Sequence, residues 1–451
     1  MTEADDGYSS SAYNSDDLIK YLHGFYHYGG HNEFKKNREY QEALAVLGGG
    51  ILTIGLIGLL VYFVFLCCRS GCACCRKEAG CGPNLSRFIL FVLSVGMCLL
   101  VLCSYVGYGT FIDGSEAIVS DCTSIKDTMI ELDDYAGVMN TEGATFVAQA
   151  AKTKCWSAGQ AVLTPSAASY RLVAELYQAA LPPPKSISSF INIFDEQVPG
   201  YVGYLLGFAA GLAVLTSLTA TLGIACKSSG ILNLSSLLSI FLYLLLILLV
   251  ALELTLSVMF ADFCHYGPNA AIQDMANRQF SGEARDTVAF YTTCTGTNPL
   301  DTHLGTAVRE LDSIHSVLAQ VNSGSNSNTT CAEYGAIGVI SKTYTAGVET
   351  TAMMAGPVDD TDANFPGAYK GQSCQGINEP YVHLVETALC SEAVTGLWEL
   401  WSVHLAAACV LYICMFFTSH VKQKCKVLVL MDEEGAVKAI PLGPPLSPKT
   451  I

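Results

Sequence analysis

Long runs of apolar side chains alternate with polar segments along this chain. Five of these runs are long enough to cross a bilayer, and they cover residues 44–67, 88–111, 201–226, 231–259 and 397–419. At a rise of about 1.5 Å per residue, a helix of this length crosses the roughly 30 Å of hydrocarbon in a membrane. The pattern therefore predicts an all-α membrane protein with five transmembrane helices.

The polar segments predict further helices outside the membrane. Two of them are long, residues 112–200 and 260–396, whereas the segments 68–87 and 227–230 are short, and the ends cover 1–43 and 420–451. Apolar residues at helical spacing predict helices over residues 120–138, 143–158, 167–180 and 304–321. Cysteines in both long segments are candidates for disulfides, so we expect a disulfide-stabilised helical domain there.

Lysine and arginine in the short segments favour one orientation. The segment 68–87 carries Arg69, Arg76, Lys77 and Arg87, and three lysines follow the fifth span, whereas Lys35, Lys36 and Arg38 precede the first span. Basic residues of short loops lie mostly on the cytosolic side. We therefore expect an extracellular amino terminus, a cytosolic carboxyl terminus and two extracellular long segments.

Composition narrows the class of function. The formal net charge is −16 and 51% of the residues are hydrophobic, a balance that disfavours nucleic acid as a partner. The chain contains no phosphate-binding glycine loop, HExxH helix or nucleophile elbow, so we expect a protein that is not an enzyme and requires no cofactor.

Two kinds of covalent modification are predicted. Asn328 begins the sequon of the second long segment and is predicted to be glycosylated, whereas Asn84 and Asn233 lie on the predicted inner side and should not be. A cysteine cluster beside basic residues at the end of the first span predicts juxtamembrane palmitoylation, with unmodified thiols or a metal site as alternatives. Its members are Cys67, Cys68, Cys72, Cys74 and Cys75.

Ionisable residues within the spans are the strongest functional candidates. Glu253 lies within the fourth span, and His404 is the cationic candidate at similar depth in the fifth, next to an interfacial belt of Trp398 and Trp401. Because a charge at membrane depth is costly, such groups usually face a bundle interior, a cavity or a partner. Either the two residues form a structural hydrogen bond, or they line a permeation or ligand path.

Metal sites are a weaker expectation. Asp359, Asp360 and Asp362 resemble the start of a calcium loop, but Phe365 stands at the position of the turn glycine, so a flexible acidic loop is favoured over a weak extracellular calcium site. Another candidate is a helical face with His23, His27 and His31, for which solvated surface histidines are the favoured interpretation.

Small residues at four-residue spacing mark a packing surface in the third span. Gly203, Gly207 and Gly211 would allow another helix to approach closely. Packing within the chain and a dimer interface both fit this spacing.

Several short motifs, taken together, resemble those of the Tweety family of five-span plasma-membrane proteins. Their order and spacing match along nearly the whole chain. The motifs are Glu39-Tyr40-Gln41-Glu42-Ala43-Leu44, Cys67-Cys68-Arg69, Glu253 nine residues before Asp262-Phe263-Cys264, Phe290-Tyr291-Thr292-Thr293-Cys294 with Asn298-Pro299, Ile314-His315, Cys374 and Leu389-Cys390.

The resemblance implies a glycosylated homodimer with helical outer domains that acts as a chloride channel, regulated by cell volume or by calcium. By the family pattern Cys264 pairs with Cys390 and Cys294 with Cys374. A pair between Cys122 and Cys155 is predicted as an addition of this chain, which leaves Cys331 over. Lys152, Lys154 and Arg171 are the candidates for the basic residue that the family uses in its first outer loop.

Two functions of different classes follow from these observations. In an anion channel, basic outer residues attract chloride and the spans line its path. In a dimeric lipid-binding, lipid-transfer or adhesion protein, the outer helices form a hydrophobic pocket or a contact surface. A conducting path needs polar lining, which the spans offer mainly at Glu253 and His404, whereas copurifying membrane lipid would favour the second function.

Overall fold

A computed structural model describes residues 15–25, 38–71, 83–152, 157–182, 188, 191–226, 228–322, 334–355 and 374–433. Helices account for nearly all of these residues, and no strand occurs among them. Five of the helices are long and apolar enough to cross a membrane. The predicted all-α class with five spans is therefore confirmed.

Twelve α-helices are named among the described residues. In chain order they are α1 Ser15–His23, α2 Arg38–Gly71, α3 Pro83–Ala150, α4 Ser157–Ala180, α5 Val198–Ala225, α6 Ser229–Tyr266, α7 Pro268–Gln279, α8 Glu283–Thr293, α9 Pro299–Asn322, α10 Tyr334–Ala355, α11 Cys374–Val382 and α12 Val394–Glu433. Two π-helical segments, Ile193–Gln197 and His383–Ala393, lead directly into α5 and α12.

Helix α3 is longer than the sequence predicted. It continues without a break from the second span through the predicted helix 120–138 and the first half of the predicted helix 143–158, and it ends at Ala150. The interruption expected near residue 140 is absent because buried side chains keep helical spacing through that region. These side chains are Leu132, Ala136, Met139, Phe146 and Ala150. By contrast, the predicted helices 167–180 and 304–321 lie within α4 and α9.

The chain has two main hydrophobic cores. The core of the spans includes Tyr62, Met97, Leu246 and Met415, with α5 and α12 each packed against both α3 and α6, and α2 packed on α6. A second core lies in the part of α3 beyond the membrane, together with α4, α9 and α10, and we call this part the head domain. Tyr170, Tyr177, Leu304 and Ile314 are among its buried residues.

Tyrosine hydroxyls and glycines attach α2 to its neighbours. Tyr243 donates to the carbonyl oxygen of Gly55 at 3.4 Å, and Tyr412 donates to that of Gly58 at 3.0 Å. A side chain at Gly55 would clash with Ile247, whose Cγ2 lies 2.5 Å from the Cβ position. The glycines of α2 thus serve contacts within the chain.

The glycine series of the third span also serves contacts within the chain. A Cβ at Gly203 would lie 2.8 Å from the hydroxyl oxygen of Tyr108 in α3, and one at Gly207 would lie 3.9 Å from that of Tyr105. No atom lies within 4 Å of the Cβ position at Gly211. Gly203 and Gly207 therefore leave space for tyrosine hydroxyls of α3.

Two predicted disulfides are confirmed. Cys264 at the end of α6 bonds to Cys390 in the second π-helical segment, and Cys294 after α8 bonds to Cys374 at the start of α11. These bridges close loops of 126 and 80 residues. They cross-link elements of the second long segment that are far apart along the chain.

The predicted bridge between Cys122 and Cys155 is wrong. Cys122 is a buried thiol that packs with Ile118, Ile191 and Ala388. Along α3, Ala150 lies about 42 Å from Cys122. Cys155 itself lies outside the described residues, but the few residues that separate it from Ala150 span less than half of that distance.

Loss of the bridge between Cys294 and Cys374 should destabilise the head domain. Closing a loop of this length restricts the unfolded chain, so we expect the double replacement by serine to lower the free energy of unfolding by about 2–4 kcal/mol. Thermal unfolding of the purified protein in detergent measures this change. Replacement of the buried thiol alone, Cys122→Ala, is the control and should cost less than half as much.

Candidate functional site

An acid and an imidazole meet inside the spans. The Oε2 atom of Glu253 in α6 lies 2.8 Å from the Nδ1 atom of His404 in α12. The side chain of His404 has no exposed surface, and that of Glu253 is 9% exposed. Counted along their helices, both residues lie about 10 Å below the predicted outer ends of their spans. The structure therefore brings together the two ionisable residues that the sequence singled out.

Glycines in α3 and α12 hold the imidazole at this position. The Cβ position of Gly396 is 2.5 Å from the backbone nitrogen of Phe111, and that of Gly107 is 3.0 Å from the backbone nitrogen of Leu400. Such short approaches leave no space for a side chain, so the two backbones are in direct contact. His404 lies one turn beyond Leu400 on the same helix. The backbone contact between α3 and α12 therefore sets the position of His404 along the helix bundle.

The protonation state of the pair follows from its surroundings. An isolated negative charge at this depth is unfavourable, so the pair is stable when its net charge is zero. A pair with one proton between Oε2 of Glu253 and Nδ1 of His404 and a second proton on the Nε2 atom of His404 meets this condition. Nε2 is buried and has no hydrogen-bond partner among the described residues. It is thus a hydrogen-bond donor without an acceptor.

A second buried network lies closer to the head domain. Asp262 in α6 has no exposed surface and accepts a hydrogen bond from Tyr40, 2.8 Å from its Oδ2 atom, while the Nδ1 atom of His23 lies 2.8 Å from its Oδ1 atom. The rings of His23 and His265 stack with their centroids 4.0 Å apart. These contacts dock α1 and the start of α2 onto the end of α6.

His23 therefore has a different role from the metal ligand that the sequence left open. Its partner is a carboxylate of α6, and His27 and His31 lie outside the described residues. In the part of the chain that the structure describes, no three His, Cys, Asp or Glu side chains are arranged to hold a metal ion. No role could be predicted for Asp262 beyond its place in a family motif, because its partners are 222 and 239 residues away.

A buried carboxylate of the head domain was also not predicted from the sequence. Glu142 in α3 accepts hydrogen bonds from the hydroxyls of Tyr170, at 3.1 Å, and Thr350, at 3.2 Å. Burial raises the pKa of Tyr170, so its hydroxyl stays protonated as a donor. Three helices meet at this carboxylate. The polar contact therefore fixes how α3, α4 and α10 pack.

The basic candidates do not converge on the pair. Arg171 in α4 forms an ion pair with Glu175 at 3.3 Å and packs against Gly143, which is about 48 Å along α3 from Phe111. Lys152 is exposed just after the end of α3, and Lys154 lies outside the described residues. Arg171 and Lys152 belong to the far end of the head domain.

Several other candidates lie wholly or partly outside the described residues. Cys67 and Cys68 are exposed near the end of α2, where a juxtamembrane modification is predicted. The remaining ones are not described by the structure: Cys72, Cys74, Cys75, Asn328, Cys331, Asp359, Asp360 and Asp362.

An apolar groove opens on the outside of the spans. It lies between α5 and α6, has a volume of about 370 Å³ and is lined by leucine and phenylalanine. The lining residues are Phe208, Leu212, Leu238, Phe241, Leu244, Leu245 and Leu248. Such a surface can accommodate hydrocarbon but offers no group that would hold an ion.

Comparison with known proteins does not identify the chain. No protein-family model matches it, and no curated protein matches it.

Proposed function

We propose that this protein is a Tweety-type membrane protein that conducts chloride. The observation that carries the proposal is the buried pair of Glu253 and His404 within the largely apolar spans. Ionisable groups at this depth are retained at a cost, and ion paths are a principal place where they occur.

The chemistry of the pair favours an anion over a cation. One carboxylate oxygen of Glu253 is engaged by His404, and the neutral pair presents the Nε2–H group of His404 as a donor. An N–H donor stabilises an anion and repels a cation, and a low dielectric strengthens both effects. The pair thus supports chloride better than sodium or potassium.

Reconstitution into liposomes tests this proposal. Liposomes that contain the purified protein and are loaded with chloride should release it when a potassium ionophore carries the compensating charge. We expect His404→Gln to reduce the initial rate of chloride release at least tenfold, because it alters the donor and its pairing with Glu253. A chloride-selective electrode measures the rate.

The matched control is Leu405→Ala, in the same turn of α12 but on a face that is 39% exposed. This variant should release chloride at the wild-type rate. If correctly folded wild-type protein releases no chloride, or if both variants behave alike, the proposal is wrong.

The second candidate function is lipid binding or lipid transfer, and the groove between α5 and α6 favours it. Its walls are apolar and its length along α6, from Leu238 to Leu248, is about 15 Å. That length suits an acyl chain. Protein that fails to release chloride but copurifies with stoichiometric phospholipid would support this function instead.

The proposal also covers the cellular location, oligomeric state and orientation of the protein. We place it in the plasma membrane as a homodimer, with the head domain and the amino terminus outside the cell and the carboxyl terminus in the cytosol. Its two disulfides support an oxidising environment for the head domain. Extracellular calcium remains a proposed regulator, and the head domain a proposed contact surface for adhesion.

A further inference from the structure

Two orphaned hydrogen-bond donors lie on one face of α12. The Nε2 atom of His404 and the Nε1 atom of Trp401 are both buried, and neither has a hydrogen-bond partner among the described residues. His404 is fully buried and Trp401 is 7% exposed. Residues three apart in a helix are neighbours on its surface, with Cβ atoms about 5–6 Å apart.

Both atoms act as hydrogen-bond donors. An indole nitrogen is a donor and cannot accept, and the neutral pair with Glu253 makes Nε2 of His404 a donor as well. Buried donors without an acceptor are unfavourable, and structures rarely retain them without a reason. Two of them in adjacent positions define a site for a small acceptor.

The size and charge of the ligand follow from the surroundings. Both nitrogens are buried, so a ligand that they share is small. Trp401 packs edge-on against Trp398, with centroids 4.7 Å apart, and against Phe25 of the segment that follows α1, at 6.4 Å. Aromatic rings present positive edges to an anion and exclude water from it.

We infer that the Trp401 indole and the His404 imidazole form a binding site for a halide ion, with chloride as its physiological ligand. The inference rests on the proposed function, because it names the groups that a permeating chloride would contact. The site requires that Glu253 hold Nδ1 of His404, so Glu253 is a positioning residue and the two N–H groups are the ligands.

Binding of radiolabelled chloride to purified protein in detergent tests the site without any need for conduction. Trp401→Phe removes one N–H group and keeps an aromatic ring, so we expect it to weaken chloride affinity about tenfold. Trp398→Phe is the matched control. The Trp398 indole packs against the Trp401 ring but is not among the orphaned donors. The chloride affinity of Trp398→Phe should therefore stay within about twofold of wild type.

Thermal unfolding provides a second measurement on the same variants. A ligand that binds the folded state raises the melting temperature. Replacing gluconate with chloride should therefore stabilise the wild type and Trp398→Phe, and this stabilisation should be strongly reduced in Trp401→Phe. Equal chloride binding by the two tryptophan variants, or no saturable binding by the wild type, would overturn the site.

The failures of the two proposals are distinguishable. Protein that conducts chloride in liposomes but binds none saturably keeps the proposed function and loses this site. Protein that binds chloride with the predicted dependence on Trp401 but does not conduct keeps the site and loses the channel. A water molecule held by the two donors would give neither saturable binding nor stabilisation by chloride, and it too would contradict the inference.

Discussion

Replacing Glu253 with leucine should lower the free energy of unfolding by about 3–5 kcal/mol. The change leaves the Nδ1 atom of His404, now 2.8 Å from a carboxylate oxygen, buried in an apolar environment without a partner. Removing one member of a buried polar pair costs more than removing both, because the remaining group keeps its desolvation penalty.

The double variant Glu253→Leu with His404→Leu makes this prediction specific. Because it removes both polar groups, we expect it to recover most of the stability that the single variant loses. Thermal unfolding in detergent compares the single variants, the double variant and Glu253→Gln, which retains a hydrogen bond and should cost about 1 kcal/mol. If the double variant is less stable than either single variant, the pair contributes in a way that the contact does not explain.

The pair itself could be anticipated from the sequence, because charges in apolar runs are conspicuous. Glu253 and His404 each interrupt a run of apolar residues at similar depth, and the structure places them in contact. The orphaned state of Trp401 could not be anticipated. A tryptophan near the end of a span is typical of a membrane interface, and whether its N–H group finds an acceptor depends on the neighbouring helices.

For the outer helices too, part of the structure could be predicted from the sequence and part could not. Periodic apolar residues predicted α9, and α4 in part, but the two separate helices predicted over 120–138 and 143–158 imply a break in α3 that does not exist. Local sequence cannot reveal that Glu142 is satisfied by Tyr170 and Thr350, which are 28 and 208 residues away. The same reasoning explains the error at Cys122, whose pairing was predicted without knowledge that α3 separates it from Cys155.

Long-range contacts connect the segments just outside the predicted spans to the spans themselves. Asp262 joins α1, α2 and α6 just above the membrane, and Cys264, two residues later, is covalently bonded to Cys390. The chain from Cys390 leads into α12, which carries Trp401 and His404. A movement of the second π-helical segment would therefore reach the proposed chloride ligands through one continuous helical path.

The close backbone contact between α3 and α12 is where a single added methyl group should disturb this path most. We expect Gly396→Ala to lower the free energy of unfolding by about 4 kcal/mol or more. The new Cβ would lie 2.5 Å from the backbone nitrogen and 2.8 Å from the Cα atom of Phe111. Because these are backbone atoms, no change of side-chain rotamer relieves the clash, and the two helices must separate.

Gly109→Ala is the matched control, since it adds the same methyl group to α3 where no atom lies within 4 Å of the Cβ position. Alanine is the better helix former, so this variant should be as stable as the wild type or up to about 1 kcal/mol more stable. Thermal unfolding and the chloride-release rate should be measured on both variants. Separation of the helices displaces His404, two turns beyond Gly396, so Gly396→Ala should also lose chloride release. Wild-type stability in that variant would show that α3 and α12 are not in direct contact.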